Sequence, residues 1–210
     1  MIKKQKLILG GIFVIVVFFG ITFSKNWGTA VSENLLEKYK PEVKGLRNNR
    51  ELALSRCPVM IKKLEKGLPE LSKSKDKTQM PQAQKLIADC AFAAGDYQKS
   101  LDYYKHLSNF EPNVSRWHVL IAESFLGMKK PGDALQRATL ATQLDPNDFE
   151  IRLLHARVLA KLALKNRAVE AYAQAIRIAP YDQIAITKME LADFVENSVD
   201  ESEFADRKEY

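Results

Sequence analysis

The chain has 210 residues, 46% of them hydrophobic and 28% charged, with a formal net charge of +6. The charge is spread unevenly, because lysine and arginine outnumber acidic residues by 13 to 7 in 24–80 but are outnumbered by 8 to 3 in 183–210. Residues 81–182 are left near neutral, at +2. Nucleic-acid binding requires lysine and arginine clustered on one surface, so this distribution argues against a nucleic-acid partner.

The first predicted element is an apolar run over 7–23 that contains no charged residue. At about 1.5 Å per residue, the run just spans the hydrocarbon core of a bilayer. Its flanks carry residues typical of interfacial anchors: Lys3, Lys4, Lys6, Lys25 and Trp27. We predict a cytoplasmic stub and transmembrane anchor over 1–27, with a single pass through the inner (cytoplasmic) membrane and the body of the chain in the periplasm. A cleaved signal peptide is the alternative, because Gly28-Thr29-Ala30 offers small residues for cleavage.

Residues 28–80 are predicted to form a basic helical connector. Ser32 is placed to cap a short helix that stops near Pro41. Apolar residues then recur at three- and four-residue steps around Pro58 and Pro69, which are expected to start, kink or end the helices there. We interpret this stretch as a degenerate helical hairpin that serves as the N-terminal cap of the elements that follow.

A fixed 34-residue step dominates the middle of the chain. It relates three prolines, and a small residue lies twelve positions before each: Pro112, Pro146 and Pro180, preceded by Ser100, Ala134 and Ala168. The step divides 81–182 into three units of two helices each: 81–114, 115–148 and 149–182. Offsets of four and three place a trio on one stripe of each second helix: Ser100/Tyr104/Leu107, Ala134/Ala138/Ala141 and Ala168/Tyr172/Ala175. Three further residues are expected to close those stripes: Phe110, Leu144 and Ile178.

This pattern resembles the tetratricopeptide-repeat (TPR) family over all three units. Trp117 departs from it, because it stands one residue before the family's usual tryptophan position, which His118 occupies. The resemblance implies an all-α fold, a right-handed superhelical α–α solenoid of TPR hairpins, here with an N-terminal transmembrane helix. The layout is similar to that of membrane-anchored bacterial TPR proteins. A C-terminal capping helix is expected over 183–197, and an acidic disordered tail over 198–210.

The resemblance also implies a partner-binding groove lined by the first helix of each unit. Its inward residues would be Lys85, Asp89, Phe92, Arg116, Val119, Glu123, Leu126, Leu153, Arg157 and Lys161. The alternative is that these are solvent-facing polar positions without a ligand. Chaperone-binding members use a carboxylate clamp, which Lys85 fits. Four other clamp positions depart from it, which disfavours a cytosolic chaperone cofactor: Asp89, Leu120, Glu150 and Leu154.

The two cysteines, Cys57 and Cys90, are 33 residues apart, nearly one repeat. If the connector stacks like a repeat, they lie on neighbouring helices, and an exported compartment permits a disulfide between them. Helix axes pack about 8–10 Å apart, whereas a disulfide needs Cα atoms within about 7 Å. This comparison favours two buried, unlinked thiols and leaves a disulfide as the alternative.

No motif in the sequence points to catalysis. The three histidines form no metal-ligand spacing with the cysteines or with each other, and no phosphate-binding glycine loop or nucleophile motif occurs. We expect no cofactor, no metal and no enzymatic activity. The sequence favours a membrane-tethered scaffold that binds a protein or peptide partner in envelope assembly, secretion or maturation. A permanent structural subunit of a larger machine and a soluble periplasmic TPR protein remain alternatives, and a homo-oligomer is left open.

Overall fold

The computed structural model describes residues 35–198, which form nine α-helices and no strand. In chain order the helices are α1 (35–46), α2 (Arg50–Lys73), α3 (Gln79–Ala94), α4 (Tyr97–Phe110), α5 (Ser115–Gly127), α6 (Pro131–Leu144), α7 (Phe149–Lys161), α8 (Lys165–Ile178) and α9 (Tyr181–Asn197). The chain divides into two compact units, Met1–Gly95 and Asp96–Tyr210. The N-terminal unit holds α1 to α3, and the C-terminal unit holds α4 to α9. The division falls inside the first predicted repeat, between its two helices.

Helix α1 continues through Pro41, so the prediction that it stops near that proline is wrong. A proline inside a helix removes one backbone hydrogen bond. The helix persists because four apolar side chains recur on one face and are buried there: Leu36, Tyr39, Val43 and Leu46. Burial of an amphipathic face contributes more to helix stability than local propensity does.

Helix α2 is one continuous helix of 24 residues that contains both Pro58 and Pro69. The turn that precedes it lies at 47–49, where the Asn49 side chain accepts a hydrogen bond from the backbone N–H of Leu52 at 3.0 Å. Such a cap stabilises a helix start by about 1 kcal/mol. Both prolines are exposed, whereas the opposite face is buried. The sequence therefore predicted helices before and after the turn at 47–49. It did not predict the ends of these helices, because Pro58 and Pro69 lie inside α2.

In the C-terminal unit, helices that are consecutive in sequence pack against each other. Helix α6 lies between α5 and α7 and presents three fully buried alanines, Ala134, Ala138 and Ala141. Their small size lets the helices approach closely, and larger side chains fill the space around them: Val119, Ile151, Leu154 and Val158. The predicted stripe of this unit is thus confirmed as core.

The two other predicted stripes are also buried, including Tyr104 and Tyr172. Helix α8 packs its stripe against α7, and Leu191 and Phe194 of α9 cover part of that cluster. The expectation that Phe110 and Ile178 close these stripes is wrong, because they are 68% and 37% exposed. Both residues are the last of their helices, so no further helical turn covers them.

Three interhelical turns share one backbone feature at the 34-residue step. Gly95, Lys129 and Ala163 all have positive φ, at 83°, 59° and 54°. This left-handed conformation ends helices commonly and suits glycine best, because a Cβ makes it unfavourable. The repeat is therefore present in the backbone even where its glycine is replaced.

Within residues 35–198, no helix is long and apolar enough to cross a membrane. The predicted anchor, 7–23, lies outside the described residues. The predicted acidic tail also lies outside them, apart from Ser198.

Candidate functional site

A cavity of about 330 Å³ lies in the N-terminal unit between α1 and α3. Helix α1 contributes Leu36, Lys40, Val43, Lys44 and Arg47, and α3 contributes Gln82, Lys85, Leu86 and Asp89. The volume is at the lower end of the range for ligand pockets, about 300–1,000 Å³. A cavity of this size suits one or two side chains of a partner better than a large cofactor.

The floor of the cavity is apolar. Leu36 and Val43 lie seven residues apart on one face of α1, and Leu86 lies on the facing helix α3. These side chains also belong to the core of the unit, where little of each is exposed. The floor is therefore held in place by the same packing that holds the two helices together.

The rim of the cavity is cationic. Among the described residues that line it, four side chains carry positive charge and one, Asp89, is acidic. The Lys85 ammonium lies 2.5 Å from the Asp89 carboxylate on the same helix. The Arg47 guanidinium lies over the ring of Phe92, 5.2 Å from its centroid, in a cation–π contact. Two predicted groove residues, Lys85 and Asp89, thus line this cavity, and Phe92 is held beside it.

Predicted groove residues of the C-terminal unit fall into two groups. Val119 and Leu153 are both 4% exposed and belong to core clusters, so they are unavailable to a partner. Arg116 and Lys161 are exposed. The others, Glu123, Leu126 and Arg157, are each at least partly accessible, and Leu126 packs against the core. The prediction that Val119 and Leu153 line a groove is wrong, because both side chains point into the core.

Arg157 is held by α9, which contains the predicted capping segment 183–197. Its guanidinium donates to both carboxylate oxygens of Glu190 on α9, at 2.9 and 2.5 Å. This hydrogen bond raises the pKa of Arg157 above its usual value, against a smaller opposing effect of burial. An arginine bound in this way is a structural link between α7 and α9, and it is poorly suited to a groove ligand.

The positions at which the sequence departs from the chaperone clamp are explained in part by burial. Leu120 and Leu154 are 1% and 8% exposed. A polar clamp residue there would have to be buried without the ligand. The departures at these two positions therefore follow from core packing in α5 and α7.

Cys57 of α2 and Cys90 of α3 form a disulfide, with Cα atoms 5.4 Å apart. Both cysteines are fully buried. The preference for unlinked thiols rested on a typical distance between helix axes, whereas the two Cα atoms lie on the facing sides of the helices and are much closer. The disulfide joins α2 to α3, the helix that forms one wall of the cavity.

Sequence reasoning missed the α1 half of the cavity because 28–80 was treated as a connector. The signal was present: Leu36 and Val43 share a helical face, and three cations lie beside them in the sequence, Lys40, Lys44 and Arg47. What could not be read from spacing was that α1 faces α3. Among the described residues, no group of three histidine, cysteine or acidic side chains converges in the way a metal ion requires.

No family model matches the chain, and no curated protein matches it. Its fold is similar to that of solved TPR structures. One is the first TPR domain of Spaghetti (RPAP3) bound to an HSP90 peptide, with 18% identity and a TM-score of 0.51 over 56% of this chain and 94% of that one. Another is a thermophilic TPR protein of Thermus thermophilus, with 18% identity and a TM-score of 0.53 over 78% of this chain and 80% of that one.

These likenesses are likenesses of fold. They agree with the 34-residue step in the sequence and with the packed helix pairs, and together they support the assignment of a TPR fold. The helices that carry the cavity thus belong to a described region, 35–198, whose fold is similar to that of solved TPR structures.

Proposed function

We propose that this chain is an interaction scaffold that binds a protein or peptide partner, and that the cavity between α1 and α3 is one of its binding sites. The observation that carries the proposal is the cavity itself: an apolar floor with a charged rim, between α1 and α3, the first helix of the predicted repeats. Peptide segments commonly bind to helical folds by placing their apolar anchor residues in such a groove. The HSP90 peptide in the similar Spaghetti domain supports the same class of partner here, although the departures from the chaperone clamp argue for a different peptide.

We further propose that residues 7–23 tether this scaffold to the inner membrane, with the repeats in the periplasm and the partner taking part in envelope assembly, secretion or maturation. Tethering raises the effective concentration of the site near other membrane components, so even a weak interaction becomes useful. Alkaline extraction of membranes and protease treatment of spheroplasts test this topology. Release of the chain by alkali, or protection of its body from protease in spheroplasts, would contradict it.

Photo-crosslinking in cells tests the binding site. A photoreactive residue replaces Gln82, an exposed and uncharged lining residue of the cavity on α3. In a matched variant it replaces Lys62, which is exposed on α2 and does not line the cavity. The proposal predicts a discrete protein adduct from position 82 that position 62 does not give. Equal adducts at both positions, or none at position 82, would reject the cavity as a binding site.

A second candidate function is that of a permanent subunit in a larger machine, and α9 favours it. Tyr181, Ile186 and Met189 are 94%, 51% and 71% exposed on this helix. Exposed apolar side chains on a terminal helix are suited to continued packing. If this function is correct, the chain extracted in mild detergent migrates only in a large complex of fixed stoichiometry, and Met189→Asp dissociates it. A chain that migrates alone would exclude this candidate.

A further inference from the structure

The cavity offers a partner two different kinds of contact. Its floor of Leu36, Val43 and Leu86 is apolar and contains no polar side chain to be satisfied. Apolar burial there is favourable for an aliphatic or aromatic side chain and unfavourable for a polar one, which would lose its hydrogen bonds to water. The floor therefore selects the side chain that enters.

The charges of the rim determine which groups are favourable beside that side chain. Lys40 and Lys44 are four residues apart on α1, so their charges are neighbours on one helix face and repel each other. Neither makes an ion pair with any residue among 35–198. A carboxylate placed between them relieves this repulsion and gains charge-assisted hydrogen bonds.

The acidic residue of the rim does not cancel this preference. The Asp89 carboxylate is already bonded to Lys85, 2.5 Å away. Arg47 stands at the same rim, one turn after Lys44, and adds a further positive charge. The field at the cavity mouth is thus positive, and it favours an anionic ligand over a cationic one.

From these contacts we infer that the cavity binds a partner segment in which one aliphatic or aromatic side chain is flanked by carboxylates. The apolar side chain enters between α1 and α3, and the carboxylates lie on Lys40, Lys44 and Arg47. The inference rests on the proposed function, because it specifies the partner that the scaffold recruits. An anionic lipid is a less suitable ligand, since a cavity of about 330 Å³ suits one or two side chains better than a long acyl chain.

The test is selection from a randomised peptide library displayed on phage, with the full chain immobilised in nonionic detergent. The same selection is run on the double variant Lys40→Glu/Lys44→Glu and on the control Lys62→Glu/Lys63→Glu. All four lysines are exposed, so these substitutions leave the core intact. Circular dichroism of each variant verifies that the helices are retained.

The inference predicts that the wild-type chain and the control enrich peptides with Asp or Glu on both sides of a Leu, Ile, Met or Phe. A synthetic copy of the enriched peptide should bind the Lys40→Glu/Lys44→Glu variant about tenfold more weakly than the wild type, since each exposed charge pair contributes modestly. Replacing its carboxylates by amides, or its apolar anchor by Ser, should cost a similar factor. Binding should also weaken as salt is added.

Four results would overturn the inference: no enrichment over the bare support, enriched peptides without carboxylates, equal binding to the reversed variant, or lysine-dependent binding of phosphatidylglycerol vesicles but not of peptides. These results are separable from failure of the proposed function. A cellular adduct at position 82 together with non-acidic enriched peptides would keep the scaffold and reject this specificity. Acidic peptides bound in vitro without any cellular adduct would keep the specificity and reject the scaffold.

Discussion

Arg157 of α7 and Glu190 of α9 form a two-pronged ion pair that joins the last predicted repeat to the capping helix. The resemblance implies that this arginine faces a ligand, but Glu190 of α9 binds its guanidinium instead. Terminal helices of such arrays protect apolar surface that would otherwise be exposed. Here the ion pair helps to position α9 over Tyr172. The ring centroids of Tyr172 and of Phe194 on α9 are 6.5 Å apart.

Glu190→Gln should therefore loosen α9 without unfolding the rest of the unit. The two side chains are 44% and 32% exposed, so solvent screening limits the loss to about 1 kcal/mol or less. Amide hydrogen exchange should accelerate in α9 and remain unchanged in α5 and α6. The exposed Glu196→Gln is the matched control, and an equal effect from both substitutions would show that the ion pair has no special role.

A second prediction concerns Gly127 of α5, which lies against Tyr97 of α4. A Cβ at Gly127 would be 2.5 Å from two carbons of the tyrosine ring, whereas a Cβ at Gly132 would meet nothing within 4 Å. Gly127→Ala should destabilise the protein by about 1–3 kcal/mol through overpacking. Gly132→Ala should be neutral, or stabilising by up to about 1 kcal/mol, because alanine favours the helix. Urea unfolding measures both, and a harmless Gly127→Ala would refute the close contact.

A third prediction uses the left-handed residue Ala163. Glycine removes the steric cost of positive φ but adds flexibility to the unfolded chain, so Ala163→Gly should stabilise the protein by roughly 0.5–1 kcal/mol. The matched substitution Ala173→Gly, at an exposed site inside α8, should cost about 1 kcal/mol. Opposite shifts in melting temperature are expected. Two shifts in the same direction would contradict the assigned turn.

A fourth prediction concerns the disulfide between Cys57 and Cys90. Its sequence separation of 33 residues corresponds to a stabilisation of about 3–4 kcal/mol from restriction of the unfolded chain. Reductant should lower the free energy of unfolding of the wild type by this amount and leave the Cys57→Ala/Cys90→Ala variant unchanged. Two labelled thiols in protein that was denatured without reductant would instead mean that the bond does not form.

A fifth prediction is a pH dependence caused by His155. Burial, followed by the charges of Arg167 and Arg152, lowers the pKa of His155 below its ordinary value of 6.5. The unfolded state therefore binds a proton at a higher pH than the native state does. The contribution of neutral, buried His155 to the free energy of unfolding is fully present above pH 6.5. It is lost as the pH falls from there through the native pKa of His155.

His155→Gln should flatten this slope in the free energy of unfolding, measured by urea at several pH values. Arg167→Gln should reduce it, because one of the repelling charges is removed. The exposed Arg177→Gln is the control and should leave the slope unchanged. A slope that persists in His155→Gln would assign the pH dependence to another group.

The sequence predicted the repeats better than it predicted their surroundings. Ala138 and Tyr172 occupy the same position of the 34-residue step, and both are buried. A position that recurs on the inner stripe of each second helix is readily predicted to lie in the core. By contrast, Pro41 and Pro58 gave misleading boundaries, because tertiary burial of α1 and α2 outweighs the local cost of a proline.

The candidate site was only half predictable, since it depends on which helix faces which. Lys85 and Asp89 were identified through the resemblance, but their neighbours on α1 come from outside the repeats. Val119 was misassigned for a related reason: helical periodicity gives a face, and only packing decides whether that face meets solvent or another helix.

The proposed binding site between α1 and α3, for a protein segment with an apolar anchor and flanking carboxylates, is tested by one affinity measurement. The partner segment captured by crosslinking at position 82 is titrated against the wild-type full chain, Lys40→Glu/Lys44→Glu and Lys62→Glu/Lys63→Glu. We expect about a tenfold loss of affinity in the rim variant and no loss in the α2 variant. Equal affinity for all three proteins would contradict it.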